Sequence, residues 1–178
     1  WCSFSKPHPP LDPPEPYYSM YRNAPIPTPT LGHWRDAEAC PEAIRRAGEE
    51  WSADLMPPEL LREARAAYYG LITQVDYNLG RVLAALQDLD LFDETLVVYT
   101  SDHGEFLGDQ RLAAKSFLLE SAAHIPLAIR PPRSWAMAPG VVSEALATHA
   151  DILPTLAAAA GGVAPAACDG MNLLSVLR

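Results

Sequence analysis

Between residues 59 and 88, apolar side chains recur at three- and four-residue steps: Leu61, Ala64, Tyr68, Leu71, Ile72, Val75, Leu79, Val82, Leu83 and Leu86. That spacing lines them along one stripe of an α-helix. Pro57 and Pro58 stand where a helix start tolerates a missing amide hydrogen. Thirty residues at the helical rise make a rod of about 45 Å. Gly70 and Gly80 interrupt the stripe. Each costs about 1 kcal/mol against alanine in a helix interior, so either a neighbour approaches closely or the helix kinks.

Beyond a turn at Phe92–Glu94 the pattern changes. Thr95 to Thr100 is a continuous β-rich run, as expected of a strand buried on both faces. A second run, Ile125 to Ile129, closes on Arg130-Pro131-Pro132, and a shorter strand is expected around Glu144–Ala147. A helix is expected from near Asp151, whose carboxylate is placed to cap it, with Pro154 in its first turn. Long helix, strand, loop, strand and helix in that order describe an α/β sheet covered on both faces. No internal repeat is evident.

The opening of the chain follows neither period. Residues 7–29 are crowded with proline (Pro7, Pro9, Pro10, Pro13, Pro14, Pro16, Pro25, Pro27, Pro29), which excludes a helix or a central strand there. Composition alone would make this a disordered linker. Tyr17, Tyr18, Met20 and Tyr21 point instead to a rigid segment laid against a core. Residues 30–56 have the polar, alanine-rich character of short helices and carry no recognisable chemistry.

Composition narrows the class. The 178 residues suit one α/β domain with a proper core, and 49% hydrophobic with 20% charged residues is ordinary for a soluble globular protein. The formal net charge of −9 argues against a nucleic-acid partner, because no basic stripe exists to neutralise phosphates. A pocket with a few focused cations can still take a small anion. Cys2, Cys40 and Cys168 have neither a disulfide-framework nor a zinc-knuckle spacing, so at least one thiol is expected to be free. No apolar run approaches the length of a membrane span, so no membrane partner is expected. Oligomer formation is compatible with the sequence. The chain opens at Trp1 without an initiator Met and shows no signal peptide, so it names no compartment.

The most informative stretch is Ser101-Asp102-His103-Gly104-Glu105, directly after the first strand. Ligands of α/β sheets gather beyond the carboxyl ends of strands. Asp102 offers a hard anionic oxygen and His103 an imidazole nitrogen, and neighbours in a tight turn can face one ion. Gly104 would relieve the backbone at the bend. The pentapeptide alone supports equally a helix-capping Asp102 beside an ordinary surface histidine. Lys115, read alone, is a solvated lysine, and His8 a histidine in a proline-rich loop.

Context separates these readings. Ser101-Asp102-His103-Gly104-Glu105-Phe106-Leu107-Gly108-Asp109, then Lys115, then Ile125-Pro126-Leu127, resembles the metal-binding stretch of the sulfatase family, part of the alkaline phosphatase superfamily. Phe4-Ser5-Lys6-Pro7-His8-Pro9-Pro10 resembles that family's F-x-x-P-H-x-P block. Tyr68 to Gly80 resembles the long helix before the metal strand. Thr148-His149-Ala150-Asp151-Ile152-Leu153-Pro154-Thr155 with Asp169-Gly170-Met171-Asn172-Leu173-Leu174 resembles its late D-I/L-x-P-T … D-G-x-S-L segment. His103, where many sulfatases carry Asn, is typical of the arylsulfatase and phosphonate monoester hydrolase branch.

The resemblance implies one partial catalytic domain over residues 1–178, a C-terminal part of the family's domain. Its parts are a Pro-rich substrate-side segment (1–29), the long helix (59–88), the metal-site strand and loop (95–130) and a C-terminal strand and helix (142–178). It implies an alkaline-phosphatase-like sandwich truncated at both ends, with a central, largely parallel sheet and helices on both faces. Asp102 and His103 would be ligands of one divalent metal ion, Ca²⁺ ahead of Mn²⁺ or Mg²⁺. Lys115 would hold the substrate anion and its departing oxygen, and His8 would contact the anion and protonate the leaving group. Asp76, His33, His124 and His149 would be structural. Gln110 departs from the histidine found in many relatives.

The implied activity is metal-dependent hydrolysis of sulfate esters, small anionic substrates. Hydrolysis of phosphonate monoesters or phosphodiesters, or a non-catalytic role in binding an anion or metal, are the alternatives. The family's nucleophile is a formylglycine, made where Cys or Ser is followed by Pro or Ala two places on and Arg four places on. Cys2-Ser3-Phe4-Ser5-Lys6 has Phe and Lys there, and Cys40, Cys168 and the serines do not fit. Formylglycine is therefore expected in a missing N-terminal part, and this chain alone is expected to be inactive.

Overall fold

The computed structural model describes residues 1–33, 40–50 and 52–176. The long apolar stripe forms helix α3, Pro58–Asp88. Its first turn closes with Leu61 N–H on the Pro57 carbonyl at 3.0 Å, and Glu59 complements the positive end of the dipole. The face it buries differs from the stripe. Ala66, Ala67, Gly70 and Leu71 are buried, whereas Ile72 is 42% and Val82 36% exposed. Neighbours come closest where the side chains are smallest.

The proline-rich opening supplies that neighbour. A Cβ on Gly70 would stand 2.9 Å from the Tyr17 carbonyl oxygen and 3.2 Å from Pro13 Cβ, so close approach explains this glycine. Gly80 faces open space, and α3 continues through it. Residues 17–22 form a short helix, α1 (Tyr17–Arg22), which corrects the expectation that no helix occurs within 7–29. The helix fits because it occupies the proline-free interval between Pro16 and Pro25. Arg62 of α3 donates from Nη1 to the Arg22 carbonyl and from Nη2 to the Ala24 carbonyl, each at 2.9 Å, satisfying acceptors at the end of α1. Tyr21 packs on Tyr69 at 5.7 Å between ring centroids and shares a 2.7 Å hydrogen bond with Thr73. Tyr17 packs on Tyr77 at 6.4 Å. The opening is thus a segment laid rigidly on the long helix, as its tyrosines suggested.

Within 30–56, helix α2 spans Glu42–Glu50 and a 3₁₀ turn spans Ala53–Leu55; residues 34–39 and 51 lie outside the described part. None of the three cysteines is in a disulfide. No described helix is long and apolar enough to cross a membrane.

The chain divides into two compact units, one of Trp1–Ala85 with His103–Ile125, the other of Leu86–Asp102 with Pro126–Arg178. In the first, Phe106, Leu112 and Ala122 form a buried cluster, with Phe117 and Leu119 packed against it. Helix α4, Glu120–Ala123, brings Ala122 to this cluster.

In the second unit, strand β1 (Val97–Thr100) pairs with strand β2 (Leu127–Arg130), Val97 opposite Arg130 and Thr100 opposite Leu127. The pairing is antiparallel, and the largely parallel sheet expected from the sequence has no counterpart among the described residues. A parallel pair needs a crossover of a dozen or more residues, usually a helix. Between β1 and β2 lie only the three-residue 3₁₀ turn Asp109–Arg111 and the four-residue α4, too short for such a crossover. Tyr99 is 40% exposed, so β1 is also not buried on both faces, and residues 144–147 are exposed and form no strand. Arg130 seals the ribbon's end. It donates to the Phe92 carbonyl at 2.7 Å and to Asp93 at 3.2 Å, and its guanidinium lies 3.7 Å from the centre of the Phe92 ring.

Residues 148–175 are locked by one carboxylate. Contrary to the expectation from the sequence, Asp151 does not cap helix α5 (Ile152–Ala159) with its side chain. It reaches back to the Thr148 N–H at 2.6 Å in a capping box, and across to the Met171 N–H at 2.6 Å. Thr155 Oγ1 donates to the Asp151 carbonyl and accepts from the Leu173 N–H. A Cβ on Gly170 would lie 1.9 Å from the Ala150 carbonyl oxygen, so only glycine lets these strands of chain meet.

Two outcomes follow. In urea denaturation, Gly80→Ala is expected to raise stability by about 1 kcal/mol, and Gly70→Ala to lower it by about 1–3 kcal/mol through the clash with Tyr17. The amide donors of Met171 and then Thr148 hold the Asp151 carboxyl below its ordinary value. The folded chain therefore binds this proton less readily than the unfolded chain. Its stabilisation is complete above the unfolded value near pH 4 and is lost as pH falls through the lowered native value. Melting temperature followed downward from pH 6 should decline in that acid window, and Asp151→Asn should flatten the decline.

Candidate functional site

The site-bearing turn begins where β1 stops. Ser101 accepts at its carbonyl from His149 Nε2 at 2.7 Å. Asp102 is exposed and His103 half-buried. His103 Nδ1 lies 2.7 Å from the Gly104 carbonyl oxygen. A carbonyl only accepts, so Nδ1 carries the hydrogen and the neutral ring keeps its lone pair on Nε2. Gly104 has a reason other than the bend assigned to it from sequence. Its N–H donates to the Ala122 carbonyl at 2.8 Å, and a Cβ there would stand 2.1 Å from the Ser121 carbonyl oxygen.

The loop from Phe106 to Lys115 is backbone-strained. Leu107, Gln110, Arg111 and Ala114 all have positive φ, as does Gly108 at 94°. Left-handed conformations at non-glycine residues cost of order 1 kcal/mol each and persist only where surroundings over-determine them. Phe106 N–H on the Ala114 carbonyl (2.9 Å) and Gly108 N–H on the Leu112 carbonyl (2.8 Å) close the loop on itself. Asp109 ties it down. Its Oδ1 accepts from the Thr30 N–H at 3.0 Å and lies 3.4 Å from Arg65 Nη1, and its Oδ2 accepts from Ser121 Oγ at 2.7 Å. Arg65 also donates to the Leu107 carbonyl at 2.7 Å. Gln110 N–H on the Thr30 carbonyl (2.7 Å) and Arg111 Nε on the Gly32 carbonyl (3.0 Å) complete the stitching to residues 30–32. Sequence reading found the Gly108-Asp109 turn and missed this network, whose partners are up to 79 positions away.

Lys115 follows this loop half-buried and makes no hydrogen bond or ion pair among the described residues. His8 is exposed, with Nδ1 donating to the Pro9 carbonyl at 2.9 Å, which leaves Nε2 the lone pair. Lys6 braces this segment on the Pro10 carbonyl and on Asp12, and its hydrogen bond holds the Asp12 carboxyl below the ordinary value. His124 pairs with Glu120 on the surface of α4. His8, His103 and Lys115 belong to one compact unit and Asp102 to the other. Among the described residues, no three His, Cys, Asp or Glu side chains gather closely enough to hold a metal ion. Asp102 and His103 have the right donor types for a divalent cation, but two donors do not close its coordination shell.

The solved structures this chain resembles are of α/β, alkaline-phosphatase-like type. The sulfatase family model matches residues 1–163, and the chain belongs to the sulfatase family. It is 37% identical to the multifunctional alkaline phosphatase superfamily protein PehA of Trinickia caryophylli, the match covering 98% of this chain and 36% of PehA. An arylsulfatase of Clostridium perfringens is 33% identical over 99% of this chain and 36% of its own length. The solved phosphonate monoester hydrolase SpPMH of Silicibacter pomeroyi superposes with a TM-score of 0.85 at 38% identity, over 96% of this chain and 35% of that one. The chain thus spans about a third of the length of these relatives.

The network makes Asp109 the residue the loop can least lose. Asp109→Ala removes the acceptor of three donors and is expected to destabilise the chain by about 2–4 kcal/mol. Amide exchange in residues 106–115 should accelerate far more than in α5, which hydrogen exchange read by mass spectrometry can compare.

Proposed function

We propose that this chain is a part of a sulfatase-family hydrolase of small anionic esters, carrying one side of its site. The observation that supports this most directly is the His103 ring bond to the Gly104 carbonyl, 2.7 Å long. It directs the lone pair to Nε2, the arrangement found in metal-ligating histidines, whose second nitrogen donates to a carbonyl or carboxylate. Asp102 precedes it in the chain at the end of β1. In this reading Asp102 and His103 are two ligands of one divalent cation, Ca²⁺ ahead of Mn²⁺ or Mg²⁺. When bound, the cation would polarise the ester and acidify the nucleophile.

The remaining roles belong to side chains of the chain itself. Lys115, half-buried and without an anionic partner among the described residues, suits the substrate anion and the charge that grows on the leaving oxygen. His8, once protonated on Nε2, would deliver that proton to the same oxygen. The substrate is a sulfate ester in the first reading, which the arylsulfatase relative favours. A phosphonate monoester is the second, favoured by the 38% identity to SpPMH and by a histidine at position 103. Both esters are monoanions near neutral pH, and one ammonium group fits either.

No cysteine or serine of the 178 residues stands in a formylglycine context. The polypeptide by itself is therefore expected to turn over neither an aryl sulfate nor an aryl phosphonate, with or without added metal. Robust metal-dependent turnover would refute that. The ligand assignment has its own readout. Substoichiometric Mn²⁺ should broaden the NMR amide signals of Asp102, His103 and Gly104 selectively, and Asp102→Asn should remove the effect. Uniform or absent broadening sinks the assignment.

A further inference from the structure

The turn bearing Asp102 is held from behind by a histidine for which the chemistry above has no task. His149 Nε2 lies 2.7 Å from the Ser101 carbonyl oxygen, and the ring must be the donor. The position of that acceptor is what matters. The ladder between β1 and β2 ends at Thr100 opposite Leu127, so Ser101 is the first residue the sheet no longer fixes. Asp102 follows it directly.

His149 stands on the firm side of this bond. It opens the 3₁₀ turn His149–Asp151, whose capping box joins Thr148 and Asp151. Asp151 is 5% exposed and bonded to Met171, and Thr155, 1% exposed, is bonded to Leu173. The imidazole is a strut from a locked platform to the carbonyl that directly follows strand β1. All of these residues, and Asp102, lie in the same compact unit. We infer that His149 is a positioning residue for Asp102, its bond to Ser101 holding the turn so that the carboxylate is presented as a ligand. The inference rests on the reading of Asp102 as a metal ligand.

The test compares wild type, His149→Ala, His149→Gln and Asp102→Asn as the full 178-residue chain, with Mn²⁺ as the probe. The ring of His149 is exposed, so the fold should survive its removal, and unchanged amide shifts in α5 verify this. In His149→Ala the backbone order parameters of Asp102 and His103 should fall from about 0.85 towards 0.6. The Mn²⁺ needed for half-maximal broadening of their amides should rise about 10-fold. His149→Gln, whose amide can donate to the same carbonyl, should recover most of both.

Order parameters that stay unchanged in His149→Ala overturn the inference. So does mobility without a change in Mn²⁺ response, since that leaves His149 a tether with no bearing on the ligand. If Asp102→Asn abolishes broadening while His149→Ala matches wild type, only the positioning role falls. If wild type itself shows no selective broadening, the metal reading falls and the positioning role with it.

Discussion

The carboxylate of Asp109 is the constraint on which the architecture of the first unit rests. It gathers the Thr30 amide, the Ser121 hydroxyl and the Arg65 guanidinium. These come from residues 30–32, from helix α4 and from the long helix. Four non-glycine residues of that loop sit in left-handed backbone conformations, which local sequence does not favour. Such a loop holds its form only if bonds from outside outweigh the strain. The side chains of Arg65 and Asp109 are 12% and 24% exposed, so their pairing is shielded from much of the screening that weakens surface ion pairs.

The second unit solves a different problem by similar means. A four-residue strand pair has little intrinsic stability. Arg130 ties one end to the Phe92–Glu94 turn through two carbonyls, a carboxylate and an aromatic face. Asp151 and Thr155 lock the C-terminal segment through backbone amides rather than through apolar burial. Pro154 and Leu173 are the buried apolar residues of that segment. Both units are thus held where charged or hydroxyl side chains meet main-chain groups, and such bonds specify geometry more sharply than apolar contact does.

What was legible in the sequence follows from the range of each interaction. The long helix was readable almost to the residue, because a 3.6-residue period and a proline start are local signals. The strand pair was located within two residues, for the same reason. Its direction was not, since an apolar run looks alike in either orientation and only the length of the connection decides. Helix α1 hid between prolines. The Asp-His pair and the lysine stood out only through the resemblance of their stretch to the sulfatase family, and their roles belong to the proposed function. Arg65 and Thr30 carry no local mark that distinguishes them from surface residues, because what defines them is a carboxylate 44 and 79 positions away.

Charge sharpens the functional reading. The chain carries a net −9, so any anion site must rest on a few well-placed cations. The arginines nearest the candidate loop are engaged elsewhere. Arg62 is forked on the carbonyls of Arg22 and Ala24, Arg65 is held by Leu107 and Asp109, and Arg111 donates to Gly32. Guanidinium forks used on carbonyls build the frame and are withdrawn from ligand binding. Lys115 is the cation of that loop without such a bond among the described residues. A lone ammonium group is a compact point charge that neutralises one negative charge and imposes little directional demand. That is a poor match for a dianion, and a good one for the singly charged esters on which the proposed reading depends.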